Sequence, residues 1–173
     1  MTMRRNRRAG STLVEFTLVG IPLMFILISI FEISRGMWVY QTLAYATKEA
    51  TRFVVVKGAN CVQNGNTCGV TVQTVARIIE DRGVGLVPAE LNVTLASLTD
   101  TRTCNPLSSC FNNATPWPTL TTPPDTGSNT GQNIRVTATY PFRSAISLFW
   151  PGTAGQQFGV FTLGSTSVEG VQF

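Results

Sequence analysis

The pattern of hydrophobic and polar positions is dominated by one apolar run close to the N-terminus. Residues 16–31 contain no charged side chain, and two further apolar residues precede Glu15. From Leu13 to Phe31 a helix would be about 28 Å long, close to the roughly 30 Å hydrocarbon core of a bilayer. The alternative is a buried core helix, but such a helix rarely stays apolar on every side for this length. We therefore predict a transmembrane helix over residues 11–32.

The helical pattern continues beyond this run, over residues 33–57. Apolar residues recur at three- and four-residue steps, which predicts that one face packs on a domain. The glutamate–arginine pairs Glu32–Arg35 and Glu49–Arg52 are spaced for ion pairs along the helix. The face predicted to point inward comprises Ile33, Met37, Tyr40, Leu43 or Ala44, Thr47, Ala50 and Val54.

The long helix contains a proline within its apolar run and two aromatic residues beyond it. Pro22 lies inside the apolar run, and because proline removes one backbone hydrogen bond, we predict local unwinding near residues 20–22. Trp38 and Tyr40 follow the run and are of the residue types that mark a membrane interface.

The remaining residues, 58–173, predict an α+β domain with an antiparallel sheet covered by the long helix. Residues 71–82 have the pattern of a short amphipathic helix. The predicted strands are residues 91–98, 134–140 with an end at Pro141, and a pair, 158–163 and 166–173, separated by Gly164. Residues 112–133 contain six threonines and four prolines, which indicates an exposed loop.

The positive charge of the chain is confined to its start. The net charge is +4, and residues 1–10, a basic leader, hold four arginines: Arg4, Arg5, Arg7 and Arg8. The chain is otherwise neutral, so no basic face for nucleic acid is expected. The positive-inside rule predicts a cytoplasmic N-terminus and an external C-terminal domain. A cleaved signal peptide is the alternative, but its small-x-small site at residues 44–46 lies far beyond the run.

Catalytic chemistry has little support in the composition. The chain contains no histidine, which excludes histidine-based acid–base catalysis and histidine metal ligands. The missing histidine makes an enzyme less expected without excluding one, and our prediction is a chain that is not an enzyme, with no catalytic residue, metal or cofactor. An extracytoplasmic enzyme is the weakest alternative, because its acidic residues are scattered through Glu80, Asp81, Glu90, Asp100 and Asp125.

The residues around Glu15 suggest a processing site. Gly10 ends the basic leader, four residues follow, and then come Glu15, Phe16 and the apolar run. This order resembles the processing site of type IV pilins and pseudopilins. The resemblance implies that a prepilin peptidase cuts between Gly10 and Ser11, and that Glu15 then pairs with the new α-ammonium of its own or a neighbouring chain. The alternative is that Glu15 lies at the membrane interface and reaches water.

The first 55 residues further resemble the TadE family of minor pilins, which belong to the tight-adherence (Tad or Flp) pilus. The matching positions are Glu15, Phe16, Pro22, Glu32, Tyr40, Ala46, Ala50 and Arg52, whereas Thr51 stands where a glycine is usual.

This second resemblance implies a pilin-like fold and a structural or priming role in a pilus that serves cell adhesion. It implies a single-pass protein of the bacterial inner membrane, with its C-terminal domain periplasmic or, within a pilus, extracellular. The implied partners are other pilins and pseudopilins, the prepilin peptidase, the pilus assembly platform and inner-membrane lipid, in a hetero-oligomer. The alternative function is a membrane-anchored adhesin or sensor, with contacts made by the loop that carries Trp117.

Four cysteines lie on the predicted outer side of the membrane, where an oxidising compartment favours disulfides. We favour the nearest-neighbour pairs, Cys61–Cys68 and Cys104–Cys110. Pairings that join the two loops remain open.

Overall fold

Four antiparallel strands form one sheet because their residues alternate between a buried and an exposed face. The computed structural model describes residues 9–57, 69–98, 100–118, 133–145 and 159–171, with the side chains of the first segment from residue 12 onward. The strands are β1 (Asn92–Ala96), β2 (Thr101–Cys104), β3 (Asn133–Arg143) and β4 (Val160–Gly170). Their order across the sheet is β2-β1-β3-β4.

A single helix, α1 (Ala9–Lys57), accounts for 49 residues and is about 73 Å long. Its buried residues begin only at Leu43. From there it packs against one face of the sheet through small or branched side chains, Leu43, Ala46, Thr47, Ala50, Thr51, Val54 and Val55. The α+β prediction, a long helix on a small antiparallel sheet, is confirmed.

Two buried threonines let α1 approach the sheet closely without leaving polar groups unsatisfied. The Thr47 hydroxyl lies 2.9 Å from that of Ser165 in β4 and 3.0 Å from the Leu43 carbonyl oxygen. Thr51 donates to the Thr47 carbonyl oxygen at 2.7 Å. Because buried hydroxyls without partners are costly, these bonds fix how α1 sits on β4.

The second helix, α2 (Val72–Arg82), confirms the amphipathic pattern. Thr71 caps its N-terminus by accepting from the Thr74 backbone N–H at 3.2 Å. The helix ends at Gly83, whose N–H donates to the Ile79 carbonyl oxygen at 2.8 Å. A Cβ at position 83 would meet that same oxygen at 2.6 Å, so glycine is required there. The buried face comprises Val72, Val75, Ala76 and Ile79.

Cys104 and Cys110 form a disulfide, which confirms one of the favoured nearest-neighbour pairs. Cys104 ends β2, and Cys110 ends a short 3-10 turn, Leu107–Cys110. Both sulfurs belong to buried residues. The other predicted pair, Cys61–Cys68, lies outside the described residues, as do residues 1–8 of the leader and most of the threonine- and proline-rich loop.

The predicted strand pattern is wrong in three places. Residues 160–170 form one strand rather than two separated at Gly164, because β3 is long enough to pair with all of it. β3 runs through Pro141, which lies beyond the last residue paired with β1, at a sheet edge where proline is tolerated. β2 was missed because only Cys104 of its four residues is buried.

The inward face predicted for α1 is correct only in its second half. Leu43, Thr47, Ala50 and Val54 are buried, as predicted, and Ala44 is not. The first three predicted positions, Ile33, Met37 and Tyr40, are 66%, 53% and 46% exposed. The neighbouring positions 36 and 39 face the domain instead.

Trp117 is fully buried, which corrects its predicted place on an exposed loop. Its backbone N–H donates to the Val70 carbonyl oxygen at 2.9 Å. The neighbouring Pro116 forms an isolated antiparallel β-bridge with Thr71. The first part of the predicted loop is therefore tied to the start of α2. Among the described residues, the indole nitrogen of Trp117 has no hydrogen-bond partner.

Candidate functional site: the exposed half of the long helix

The exposed half of α1, residues 12–35, presents apolar side chains on all sides. No side chain between residues 12 and 42 is buried. Phe16, Leu18 and Phe31, for example, are 77%, 71% and 74% exposed. A water-exposed helix normally confines apolar residues to one stripe, so this surface requires lipid or protein around it.

Three hydroxyl groups within this half, those of Thr17, Ser29 and Ser34, are hydrogen-bonded by the helix itself. Thr17 donates to the Val14 carbonyl oxygen at 3.0 Å. Ser29 and Ser34 donate to the carbonyl oxygens four residues earlier, both at 2.8 Å. These local bonds hide the polar groups from a hydrocarbon environment, where an unsatisfied group is costly. The segment therefore combines an apolar surface with hydroxyl groups that are hydrogen-bonded within the helix, as suits a membrane span.

By length and composition, α1 is the one described helix able to cross a membrane, and none of its apolar window is buried. The helix is continuous through Pro22, so the predicted unwinding near residues 20–22 is wrong. Proline leaves one carbonyl of the preceding turn without its usual donor, but the backbone keeps its helical course. The exposed half is thus one continuous helical rod.

The predicted processing-site residues lie at the start of this rod. Gly10 and Ser11 belong to the first turn of α1, and Glu15 follows one turn after Ser11. Residues four apart lie on the same helix face, so Ser11 and Glu15 are neighbours along one side. Glu15 and Phe16 are both exposed and far in sequence from Leu43, the first buried residue. Their roles in processing and assembly remain predictions.

At the other end of the exposed half, α1 is bound to the sheet by a polar contact that sequence reasoning missed. The Ala145 backbone N–H, just beyond β3, donates to Glu32 Oε2 at 3.0 Å. Arg35 lies 3.6 Å from the same carboxylate, as its spacing predicts, and donates to the Arg143 carbonyl oxygen. The only signal in the sequence was a glutamate placed directly after the apolar run. We call these four residues the junction.

Phe142 reinforces the junction. Its ring lies 4.7 Å from the Arg35 guanidinium, and a Cβ at Gly36 would be 3.7 Å from the ring. The missing side chain at Gly36 therefore makes room for the aromatic ring against the helix. The sheet is held to α1 at the position where the apolar run ends.

The second predicted ion pair, Glu49–Arg52, is wrong. Arg52 instead lies 3.7 Å from Glu169 of β4, which connects the far end of α1 to the far end of the sheet. Both side chains are partly exposed, so this pair adds little stability. The pair nevertheless shows that β4 runs alongside the packed half of α1.

The described residues do not form a metal site. Among the residues that the structure describes, no three acidic or cysteine side chains are grouped to hold a metal ion. Five of the described acidic residues instead form separate pairs with arginine, such as Glu80 with Arg77 and Asp100 with Arg102, each at 2.8 Å.

These observations define a class: a chain in which the one candidate membrane helix among the described residues continues as a wall of an α+β domain. Residues 10–52 match the family model described as TadE-like protein. This segment of the chain is therefore TadE-like, which confirms the resemblance seen in its first 55 residues. The matched segment contains the exposed half of α1, the two helix residues of the junction, Glu32 and Arg35, and much of the packed half. No curated protein and no solved structure gives a significant match to the chain.

The junction makes a prediction about Glu32. Glu32→Ala leaves the Ala145 N–H without its acceptor, and a lost hydrogen bond to a charged group costs about 1.5–3 kcal/mol. Amide hydrogen exchange at Ala145 should become about tenfold faster or more, because each 1.4 kcal/mol corresponds to tenfold. Glu32→Gln is the matched control, since it keeps a carbonyl oxygen. Equal exchange in all three proteins would show that the contact does not hold the junction together.

Proposed function

We propose that this chain is a minor pilin of the TadE type that helps to build or prime a Tad/Flp-like pilus. The observation that carries the proposal is the TadE-like match over residues 10–52, which coincides with a helix exposing apolar residues on every side. Such a helix suits both situations that a pilin meets, first surrounded by lipid and later surrounded by the helices of its neighbours.

In this proposal the protein is anchored in the bacterial inner membrane by α1. The four leader arginines favour a cytoplasmic N-terminus, which leaves the domain with its Cys104–Cys110 disulfide in the periplasm. A disulfide fits an oxidising compartment. Within a pilus the same domain would be extracellular.

We further propose that prepilin peptidase cuts between Gly10 and Ser11. The cut removes all four leader arginines, and with them the charges that hold the helix start at the cytoplasmic face. It also creates an α-ammonium at Ser11, one helical turn before Glu15. The chain is in this sense a substrate and a building block rather than an enzyme.

Assembly would then bring exposed halves of several chains together, with other pilins and pseudopilins as partners on the assembly platform. A carboxylate buried among apolar helices is strongly destabilising unless it is paired. Pairing of Glu15 with the α-ammonium of its own or a neighbouring chain would therefore set the register between helices.

An adhesin or sensor function has less support. It relied on an exposed loop carrying Trp117, and that side chain is buried in the domain.

The mass of the intact protein tests the proposal. We expect protein from membranes containing a prepilin peptidase to lack residues 1–10, and protein from peptidase-free membranes to keep them, because the cut needs that enzyme. Intact-mass spectrometry of both preparations distinguishes the two forms. A full-length mass in both preparations would reject processing and favour an ordinary anchored protein.

Glu15→Ala should insert into the membrane normally but fail to assemble, because the helix keeps its apolar surface and loses its paired carboxylate. The measurement is the recovery of the protein with sheared pili, compared with its amount in the membrane. Glu49→Ala is the matched control, since it removes a carboxylate from the same helix beyond the apolar run. Normal recovery of Glu15→Ala would remove the proposed role of Glu15.

A further inference from the structure

We propose that the junction end of the sheet rests in the phospholipid headgroup layer, so that the domain lies against the membrane rather than standing clear of it. The contact surface, which we call the basal rim, consists of Arg35, Arg143, Val160 and Phe161. The inference rests on the proposed membrane anchoring of α1 and adds a second, peripheral contact with lipid.

The height of the rim follows from the helix. If Phe31 ends the apolar run at the hydrocarbon boundary, Arg35 is about 6 Å beyond it, at 1.5 Å per residue. The headgroup layer is about 5–8 Å thick on each side of a bilayer. Glu32, only one residue past Phe31, accepts the hydrogen bond from Ala145. The end of β3 is therefore at the level of the headgroups.

Contacts farther along α1 show that the sheet rises from this level. Gly36 meets Phe142, Thr47 meets Ser165, and Arg52 meets Glu169. β4 thus runs alongside α1, away from the apolar run. Its first residues, Val160 and Phe161, pair with Arg143 and Phe142 of β3, which places them at the basal rim. Its last residues are about 30 Å above Phe31.

The chemistry of the rim matches a headgroup layer. Phe161 is 55% exposed, and phenylalanine is among the apolar residues that insert at the boundary between headgroups and acyl chains. The Arg35 and Arg143 side chains are 50% and 68% exposed. Both arginines already have a glutamate partner, Glu32 and Glu90, but a guanidinium has five N–H donors and retains several for phosphate oxygens. The rim therefore combines apolar surface with donors for phosphate.

The test uses the full-length protein in phosphatidylcholine and phosphatidylglycerol vesicles, with a photo-crosslinking amino acid at one position and a tagged phospholipid. Position 160 probes the rim. Position 168 is the matched control, because both are valines of β4, both are 46% exposed, and they are eight residues apart. Position 23, in the apolar run, reports the anchor. We expect lipid crosslinking at 23 and 160, with the yield at 160 at least fivefold above that at 168.

The outcomes separate the inference from the proposal on which it rests. Crosslinking at 23 with equal, low yields at 160 and 168 would overturn the rim and leave the anchor in place. Absence of crosslinking at 23 would reject the anchor and the rim together. Arg143→Gln should lower the yield at 160 about twofold or more, whereas Arg102→Gln, an exposed arginine in a comparable ion pair near the far end of the sheet, should not. Equal yields in these two variants would overturn the arginine–phosphate contact.

Discussion

The packing of residues 43–55 of α1 against the sheet is the constraint on which the rest of the molecule depends. The same helix supplies the inner wall of the domain and, without a break, the apolar rod that projects from it. Any rotation of α1 about its axis would expose its small buried side chains and replace them with charged ones such as Lys48. The orientation of the exposed half is therefore set by the core of the domain.

Small side chains make this packing specific. Ala46, Ala50 and the threonines bring α1 close to β4, whose facing residues include Ser165 and Ser167. Close approach needs the hydroxyl bonds between Thr47 and Ser165, because a buried polar group without a partner costs about 1–3 kcal/mol. The junction at Glu32 adds a second attachment 15 residues earlier. Together they hold the helix and sheet along a common direction.

Sequence patterns predicted the elements that have a clear period. The apolar run, the amphipathic α2 and the alternating centre of β3 each follow directly from spacing. The errors occurred where tertiary contacts override local signals. Gly164 is typical of a break, but pairing across β3 carries the strand through it. Trp117 lies among loop residues, yet its backbone bond to Val70 draws it into the core.

The candidate site was only partly predictable for a similar reason. Gly10, Ser11 and Glu15 form a local motif, so sequence alone is enough to propose them, and their roles stay predictions. The junction joins Glu32 to a backbone N–H 113 residues later, and an N–H carries no signature in sequence. The sequence also did not reveal which face of α1 points toward the sheet just beyond the apolar run. Gly36 faces Phe142 there, and a glycine has no side chain to contribute to a hydrophobic pattern.

The central claim is that one unbroken helix is shared between two environments, the lipid and the sheet. Residue-resolved amide hydrogen exchange of the full chain in lipid nanodiscs tests it most directly. The account predicts slow exchange from about residue 13 through residue 55, protected first by lipid and then by the sheet, with no rapid segment between Phe31 and Leu43. Rapid exchange within residues 13–31, or a rapid break between Phe31 and Leu43, would contradict it.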